Sequence, residues 1–270
     1  MILEKTVELV KSIYKYHKII PPKVNRVVIG LGYTGVELHA LSYSPFLGLA
    51  YTLQTEIKSK ICTKLGLAGT LTKRSLSELL EWSYGPPGIQ KIIGIAALNA
   101  MSQHILEIIN PYHKAEDDLI NHLRLDEDSK IIFIGQISPL IRKISQISDS
   151  IIIIENTISE PESFKRFKIA TNINQLKEEE LTTNVLICSG TALINNTMEE
   201  ILRKFKKKAQ QIVVLGPTAS MLPDILFDHG VNIVGGTKIL DADMALKVLQ
   251  EGGGTKQFKQ YGIKYCLIKE

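Results

Sequence analysis

Cysteine is scarce in this chain of 270 residues: Cys62, Cys188 and Cys266 are the only three, and they stand far apart. No two lie at CxxC spacing, which excludes a zinc ribbon or a thioredoxin-type redox pair. The odd number and wide spacing argue against a disulfide framework and for a reducing, cytoplasmic setting. Cys188 and Cys266 fall in apolar strand-like runs and read as core residues. Long hydrophobic runs are missing too. No apolar stretch approaches the ~20 residues that cross a bilayer, and Glu4, Lys5, Glu8 and Lys11 interrupt any signal-peptide core. The expectation is a soluble protein with no membrane partner. Charge of one sign is also lacking: 32 basic against 28 acidic residues leave +4, too small an excess to indicate nucleic acid. The one basic run, Arg203-Lys204 then Lys206-Lys207-Lys208, is expected to close a helix whose dipole it complements. Walker A, HExxH and GxSxG are absent, as is any obvious nucleophile–base pair.

What is present is an ordinary globular composition, 44% hydrophobic and 22% charged, in a chain long enough for one large or two ordinary domains. The stretch around which it is organised is 185–205, VLICSGTALINNTMEEILRKF. Val185 to Cys188 read as a buried strand, Ser189-Gly190-Thr191 as a tight turn, and Leu193, Ile194, Met198, Ile201, Leu202 and Phe205 recur at helical spacing. Strand, small polar turn and helix make half of a βαβ unit, with hydroxyls and backbone N–H groups gathered where an anion is favoured. Asn195 and Asn196 sit early in this helix, although asparagine is a poor interior residue. Asn195 lies one turn after Thr191 on the same face, which is expected to point toward a cleft.

Before this stretch, 2–16 reads as an amphipathic helix and 24–29 as a strand. Gly30-Leu31-Gly32-Tyr33-Thr34-Gly35 matches GxGxxG. A dinucleotide loop needs a helix directly afterwards, but Pro45 and Gly48 break the continuation and 47–53 reads as another strand. The alternative is a glycine-rich bend between antiparallel strands, with Glu37 and His39 as candidate cleft residues or solvated ones. Ser75 caps a short helix over 75–84, with Glu78 completing a capping box. A second helix covers 89–108. Asn99 lies inside its apolar run, either as a hydrogen-bonded core residue or as one facing a ligand. The acidic segment 111–130, with Glu116, Asp117 and Asp118, reads as the linker.

From Lys130 onward strands alternate with helices: strands over 131–134, 151–154, 185–188, 212–215, 231–234 and 265–268, a weaker one over 168–171, and helices near 139–145, 192–207, 221–229 and 241–250. This grammar predicts a parallel sheet covered on both faces. Glycine or serine with a nearby hydroxyl follows several strands: Gly135-Gln136-Ile137-Ser138, Ser189-Gly190-Thr191, Gly216-Pro217-Thr218 and Gly235-Gly236-Thr237. A parallel sheet gathers such turns at its carboxyl edge, where ligands bind, although short βα turns use glycine in any case. Glu155 ends the second strand, at the position that holds a ribose hydroxyl in dinucleotide domains. A nucleoside cofactor such as S-adenosylmethionine or NAD is therefore an alternative, in which the protein is an enzyme.

One further observation is a resemblance. ICSGTALINNTMEEIL and VVLGPTASMLPDILFDHGVNIVGGTKILDADMALKVLQEGGGT, preceded by VVIGLGYTGVEL, SPFLGLAYTL and IGIAALNA, resemble the heavy-metal chelation domain family from about Val24 to Thr255. The resemblance implies an α/β protein in two parts, an enolase N-terminal-like α+β domain at 1–115 and a Rossmann-like domain at 116–270, with a site in the cleft between them. Carried over by motif, that site holds Glu37, Asn99, Ser189, Gly190, Thr191, Asn195, Gly216, Pro217, Gly235 and Gly236, joined by Thr218 from the turn pattern. These groups are mostly neutral hydroxyls, amides and backbone. They suit a small anionic or polar organic ligand, or a metal chelate, better than a bare metal ion, which wants His, Cys or carboxylate. A homodimer is the base-rate expectation for the assembly.

Overall fold

A computed structural model describes residues 1–41, 43–58, 63–109, 111–114, 118–156 and 161–269. Cys62, Lys60, Glu116, Asp117 and the expected domain boundary at 115/116 lie outside these. The fold is mixed α/β, and its described strands form two sheets.

The N-terminal part holds α1 (Ile2–Tyr16), β1 (Lys23–Ile29), β2 (Tyr33–His39), β3 (Phe46–Tyr51), α2 (Gln54–Lys58), α3 (Leu76–Trp82) and α4 (Ile89–Ile108). The strands pair antiparallel in the order β1-β2-β3. The GxGxxG run is the bend between β1 and β2. Gly30 N donates to Tyr33 O at 3.1 Å, and a strand follows, so the dinucleotide alternative for this loop fails. α3 is capped by Ser75 as expected, Ser75 Oγ accepting from Glu78 N at 3.2 Å, but the expected capping box is not completed, because the Glu78 carboxylate takes Arg74 Nη1 at 3.3 Å instead. α4 is buried almost all round. It packs flat on the small sheet because Gly48 leaves room for the backbone of Ala96 and Ala100.

The C-terminal part holds β4 (His113–Lys114), α5 (Leu119–Leu123), β5 (Ile131–Ile134), α6 (Ser138–Ile144), β6 (Ile151–Ile154), β7 (Lys168–Ala170), β8 (Thr183–Ser189), α7 (Thr191–Ile194), α8 (Met198–Phe205), β9 (Ala209–Leu215), α9 (Asp224–Asp228), β10 (Ile233–Ile239), α10 (Ala242–Gln250), α11 (Thr255–Phe258) and β11 (Gly262–Ile268). The sheet order is β4-β11-β10-β9-β8-β5-β6-β7. Neighbours from β10 to β7 are parallel. Side chains alternate between two cores: Ile131, Phe133, Val185 and Ile187 face α5 and α6. Ile132, Leu186 and Cys188 join the larger core, which also contains α1, α4 and the inner face of the small sheet. One core therefore runs from one sheet to the other.

Four expectations are corrected. The last strand is antiparallel, pairing Gly235 with Cys266 and Ile239 with Gly262. The chain leaves β10 to place α10 on the small sheet, where Leu246 and Leu249 meet Leu47 and Leu49, and returns on the edge it left without crossing the large sheet. Gly235-Gly236-Thr237 consequently lie inside β10, not in a strand-end turn. The expected long helix 192–207 is broken in two, and the one expected over 221–229 shrinks to α9.

Candidate functional site

The parallel order, read outward from β5, is β5-β6-β7 on one side and β8-β9-β10 on the other. The strand order thus reverses between β5 and β8, and in open α/β sheets a crevice forms outside the strand ends at such a point. Gly135 follows β5 with φ +94°, and a Cβ there would lie 2.6 Å from Ser189 Cβ at the end of β8. Only glycine lets the two strand ends approach this closely. Ser189 Oγ accepts from Thr191 Oγ1 at 3.0 Å and, weakly, from Thr191 N at 3.4 Å. Across the crevice the Glu155 carboxylate accepts from Gln136 N at 3.2 Å and from Asn156 N at 2.9 Å. Glu155, Ser189 and Thr191 are partly exposed and Asn195 is exposed. Gly190 is buried, with its N–H on Leu215 O at 2.8 Å. An open row of one carboxylate, two hydroxyls and one amide results.

The other expected site residues are closed off by the protein itself. α4 lies across the turn after β9. Asn99 is fully buried, and its Nδ2 donates to Leu49 O (2.8 Å), Thr218 O (3.0 Å) and Pro217 O (3.1 Å). Tyr51 N donates to Thr218 Oγ1 at 3.0 Å. Pro217 and Thr218 are buried in this clasp, whereas Gly216, with φ +118°, stays partly exposed. A Cβ on Gly235 would strike Leu215, and one on Gly236 the Tyr265 ring. Glu37 is fully buried where β2 meets α10. It is held by Asn25 and Arg26, and Arg26 also reaches Asp243 of α10 at 2.5 Å. The structure places Ser189, Gly190 and Thr191 at the end of β8, Asn195 one turn further on, and Glu155 at the end of β6, with β5 between the two strands. It places Asn99 with Pro217 and Thr218 in a joint between the two sheets, and Glu37 in a separate one.

The break in the organising helix also has a structural cause. Asn196 adopts φ +59°, a conformation asparagine tolerates better than most residues. Its Oδ1 accepts from Lys91 Nζ at 2.7 Å, and Gly85 O accepts from the same amine at 3.2 Å. Thr191 therefore heads a helix of four residues, too short to carry the dipole expected there. Lys91 belongs to a polar stripe of which the sequence marked only Asn99: Lys91, Asn99, Gln103 and Glu107 recur at steps of eight, four and four along α4 and face the C-terminal part. Gln103 Nε2 donates to Ser220 O at 3.0 Å and Tyr265 Oη at 2.6 Å, and Lys238 pairs with Glu107. Polar residues at helical spacing within an otherwise apolar run were the available signal.

Burial pushes the Lys91 amine down from 10.5 to about 8. Between those values the unfolded chain keeps a proton that the folded one releases, so stability rises with pH in that window. Below about pH 8 the cost of burying the charge is present in full. Lys91→Met is expected to abolish this rise, which is worth about 3 kcal/mol at most. Urea unfolding of both proteins at pH 7 and 10 measures it, and equal slopes against pH would refute it.

The described residues contain no group of three or more His, Cys, Asp or Glu side chains placed to hold a metal ion. Cys188 is fully buried and its thiol is pushed up to about 12, and burial also raises Cys266. Neither offers the thiolate that a soft metal requires. Among the described residues no helix is long and apolar enough to cross a membrane.

Comparison with known proteins adds the following. A family model described as "Putative heavy-metal chelation" matches residues 118–268, and a second with the same description matches 16–102. An uncharacterized protein of Methanocaldococcus jannaschii is 25% identical over 234 residues, 83% of this chain and 82% of that one. The crystal structure of a protein of unknown function from Pyrococcus horikoshii, from the first of these families, superposes with a TM-score of 0.77 at 25% identity, over 100% of both chains. Another from Desulfitobacterium hafniense shares the fold, with a TM-score of 0.70 at 17% identity over 96% of this chain and 98% of that one.

Proposed function

This chain belongs to the "Putative heavy-metal chelation" family whose model spans 118–268, and from that premise we propose that it binds a small polar organic ligand, or a metal already wrapped in an organic chelator, in the crevice at the ends of β5, β6 and β8. In this reading residues 1–115 and 116–270 act as enolase N-terminal-like and Rossmann-like domains, joined by the clasp on Asn99. The observation that carries the proposal is the chemistry of the open row. Glu155, Ser189, Thr191 and Asn195 supply a carboxylate, hydroxyls and an amide beside Gly135, while no metal-ligand trio exists among the described residues. Hydroxyls and amides recognise the oxygen- and nitrogen-rich surface of a chelate. They do not compete for a bare soft cation. The Glu155 carboxylate already takes the N–H of Gln136, which favours a neutral or metal-bearing ligand over a simple anion.

The nucleoside reading rests on the place of Glu155 at the end of the second strand, with one lone pair of each oxygen still free for a hydroxyl. Equilibrium titration with S-adenosylmethionine and NAD tests it, and a lack of saturable binding removes both. The main proposal is tested by native mass spectrometry of the protein purified without added ligand. The expected result is an organic or metal–organic mass that leaves on denaturation. Thr191→Val and Asn195→Leu should each weaken retention about tenfold, the worth of one good hydrogen bond, with unchanged unfolding midpoints. Stoichiometric binding of a chelator-free divalent metal such as zinc, or undiminished retention in both variants, would overturn it.

A further inference from the structure

A second cavity, of about 350 Å³, opens away from the strand-end crevice, between the β2–β3 loop, the C-terminal half of α4 and the end of β10. Its size falls in the range of small-molecule pockets. Tyr43, Phe46 and Leu47 form one wall, and Ile239 and Leu240 the other. The aromatic wall is braced from behind. The His104 ring packs on Phe46 (4.8 Å between centroids) and Tyr43 (5.5 Å), and Tyr14 Oη pins its Nδ1 at 2.6 Å. Glu107 and Lys238 line the same cavity and pair with each other, so they present no uncompensated charge.

One polar group reaches in from the deep side. Gln103 is 4% exposed. Both hydrogens of its Nε2 are used, one on Ser220 O and one on Tyr265 Oη. The Ser220 carbonyl can only accept, which fixes the orientation of the amide. Gln103 lines the cavity, and with Nε2 committed to these two partners its Oε1 is the atom left to accept from a ligand. A ligand that donates to this acceptor would replace solvent with a fixed partner.

We infer that this cavity is a binding site for a small, uncharged aromatic molecule that carries one N–H or O–H donor, with its ring between the aromatic and aliphatic walls and its donor on Gln103 Oε1. Indole is the simplest probe with this chemistry, and 1-methylindole is its match without the donor. Both would be titrated into the full-length protein by calorimetry, with saturation-transfer NMR to detect contact. Indole is expected to bind saturably and 1-methylindole about tenfold more weakly. Gln103→Leu should remove that discrimination. Because Gln103 also holds Ser220 and Tyr265, a second variant protects the test. Leu240→Trp, at a position 61% exposed, fills the mouth without touching a buried hydrogen bond and should abolish binding of both probes. Ser189→Ala, in the strand-end crevice, should leave indole binding unchanged, which separates this site from the function proposed above. Absence of indole binding, equal binding of the two probes, or wild-type binding in Leu240→Trp would each overturn the assignment.

Discussion

Asn99→Asp, a change of one atom, is expected to cost about 4 kcal/mol or more, a large share of the total stability of an ordinary domain. Asn99 Nδ2 sits where the carbonyls of Leu49, Pro217 and Thr218 converge, all within 3.1 Å. These carbonyls come from β3 and from the turn after β9, so one amide joins the two sheets. In the aspartate variant a charged oxygen faces three acceptors in a fully buried position. Its only relief is to take a proton, so its folded pKa rises above the unfolded value of about 3.9. The sign of the pH dependence follows. The folded variant binds more protons than the unfolded one above that value, so its stability falls as pH rises from 4 to 7. Urea unfolding at pH 4 and 7 would show a deficit against wild type that grows with pH. A pH-independent deficit of less than about 1 kcal/mol would show that the amide is not the clasp.

Gly48→Val is expected to remove the cooperative folded state. A Cβ at this position overlaps the Ala96 carbonyl oxygen and the Ala100 nitrogen and stands 3.0 Å from Ala100 Cα. All three are backbone atoms of a 20-residue helix, which cannot yield locally as a side chain would. β3 would have to separate from α4, and the closest helix–sheet contact of the N-terminal part would open. Overpacking of an ordinary core costs about 1–3 kcal/mol, and a backbone clash exceeds it because no rotamer relieves it. Even Gly48→Ala should lose most of the native circular-dichroism transition on heating. Gly66→Ala is the control, since nothing lies within 4 Å of its added Cβ, and it should melt within a few degrees of wild type. Similar behaviour of the two alanine variants would refute the packing argument.

α4 links both predictions to the candidate sites. Lys91 holds the broken helix after the Thr191 turn, Asn99 holds the turn after β9, and Gln103 and Glu107 border the second cavity. One helix from the N-terminal part thus closes half of the carboxyl edge of the large sheet and leaves the β5–β8 half open. Ligand at the open half and packing at the closed half therefore share a support. In Gly48→Ala, where that support shifts, both candidate sites should lose binding together.

Local rules were enough wherever neighbours in the chain decide the conformation. The amphipathic period of residues 2–16, the Ser75 cap with Glu78 and the isoleucine runs of β5 and β6 each specify their element by short-range sterics and hydrogen bonding. The reading of GxGxxG as a bend also followed from the chain alone, because Pro45 and Gly48 deny it a helix. Tertiary structure decided the rest, through contacts between residues far apart in sequence. Whether the glycine turns after the strands are open or filled depends on α4, which lies on some of them and not on others. Whether β11 runs parallel or antiparallel depends on α10 packing on the other sheet. Whether 192–207 is one helix or two depends on Lys91, a residue about a hundred positions away that Asn196 bends to meet. Burial of Glu37 and Asn99 follows the same logic: a polar residue's type declares that it needs partners, but only the fold supplies them, and only the fold determines whether a partner is a ligand or the chain itself.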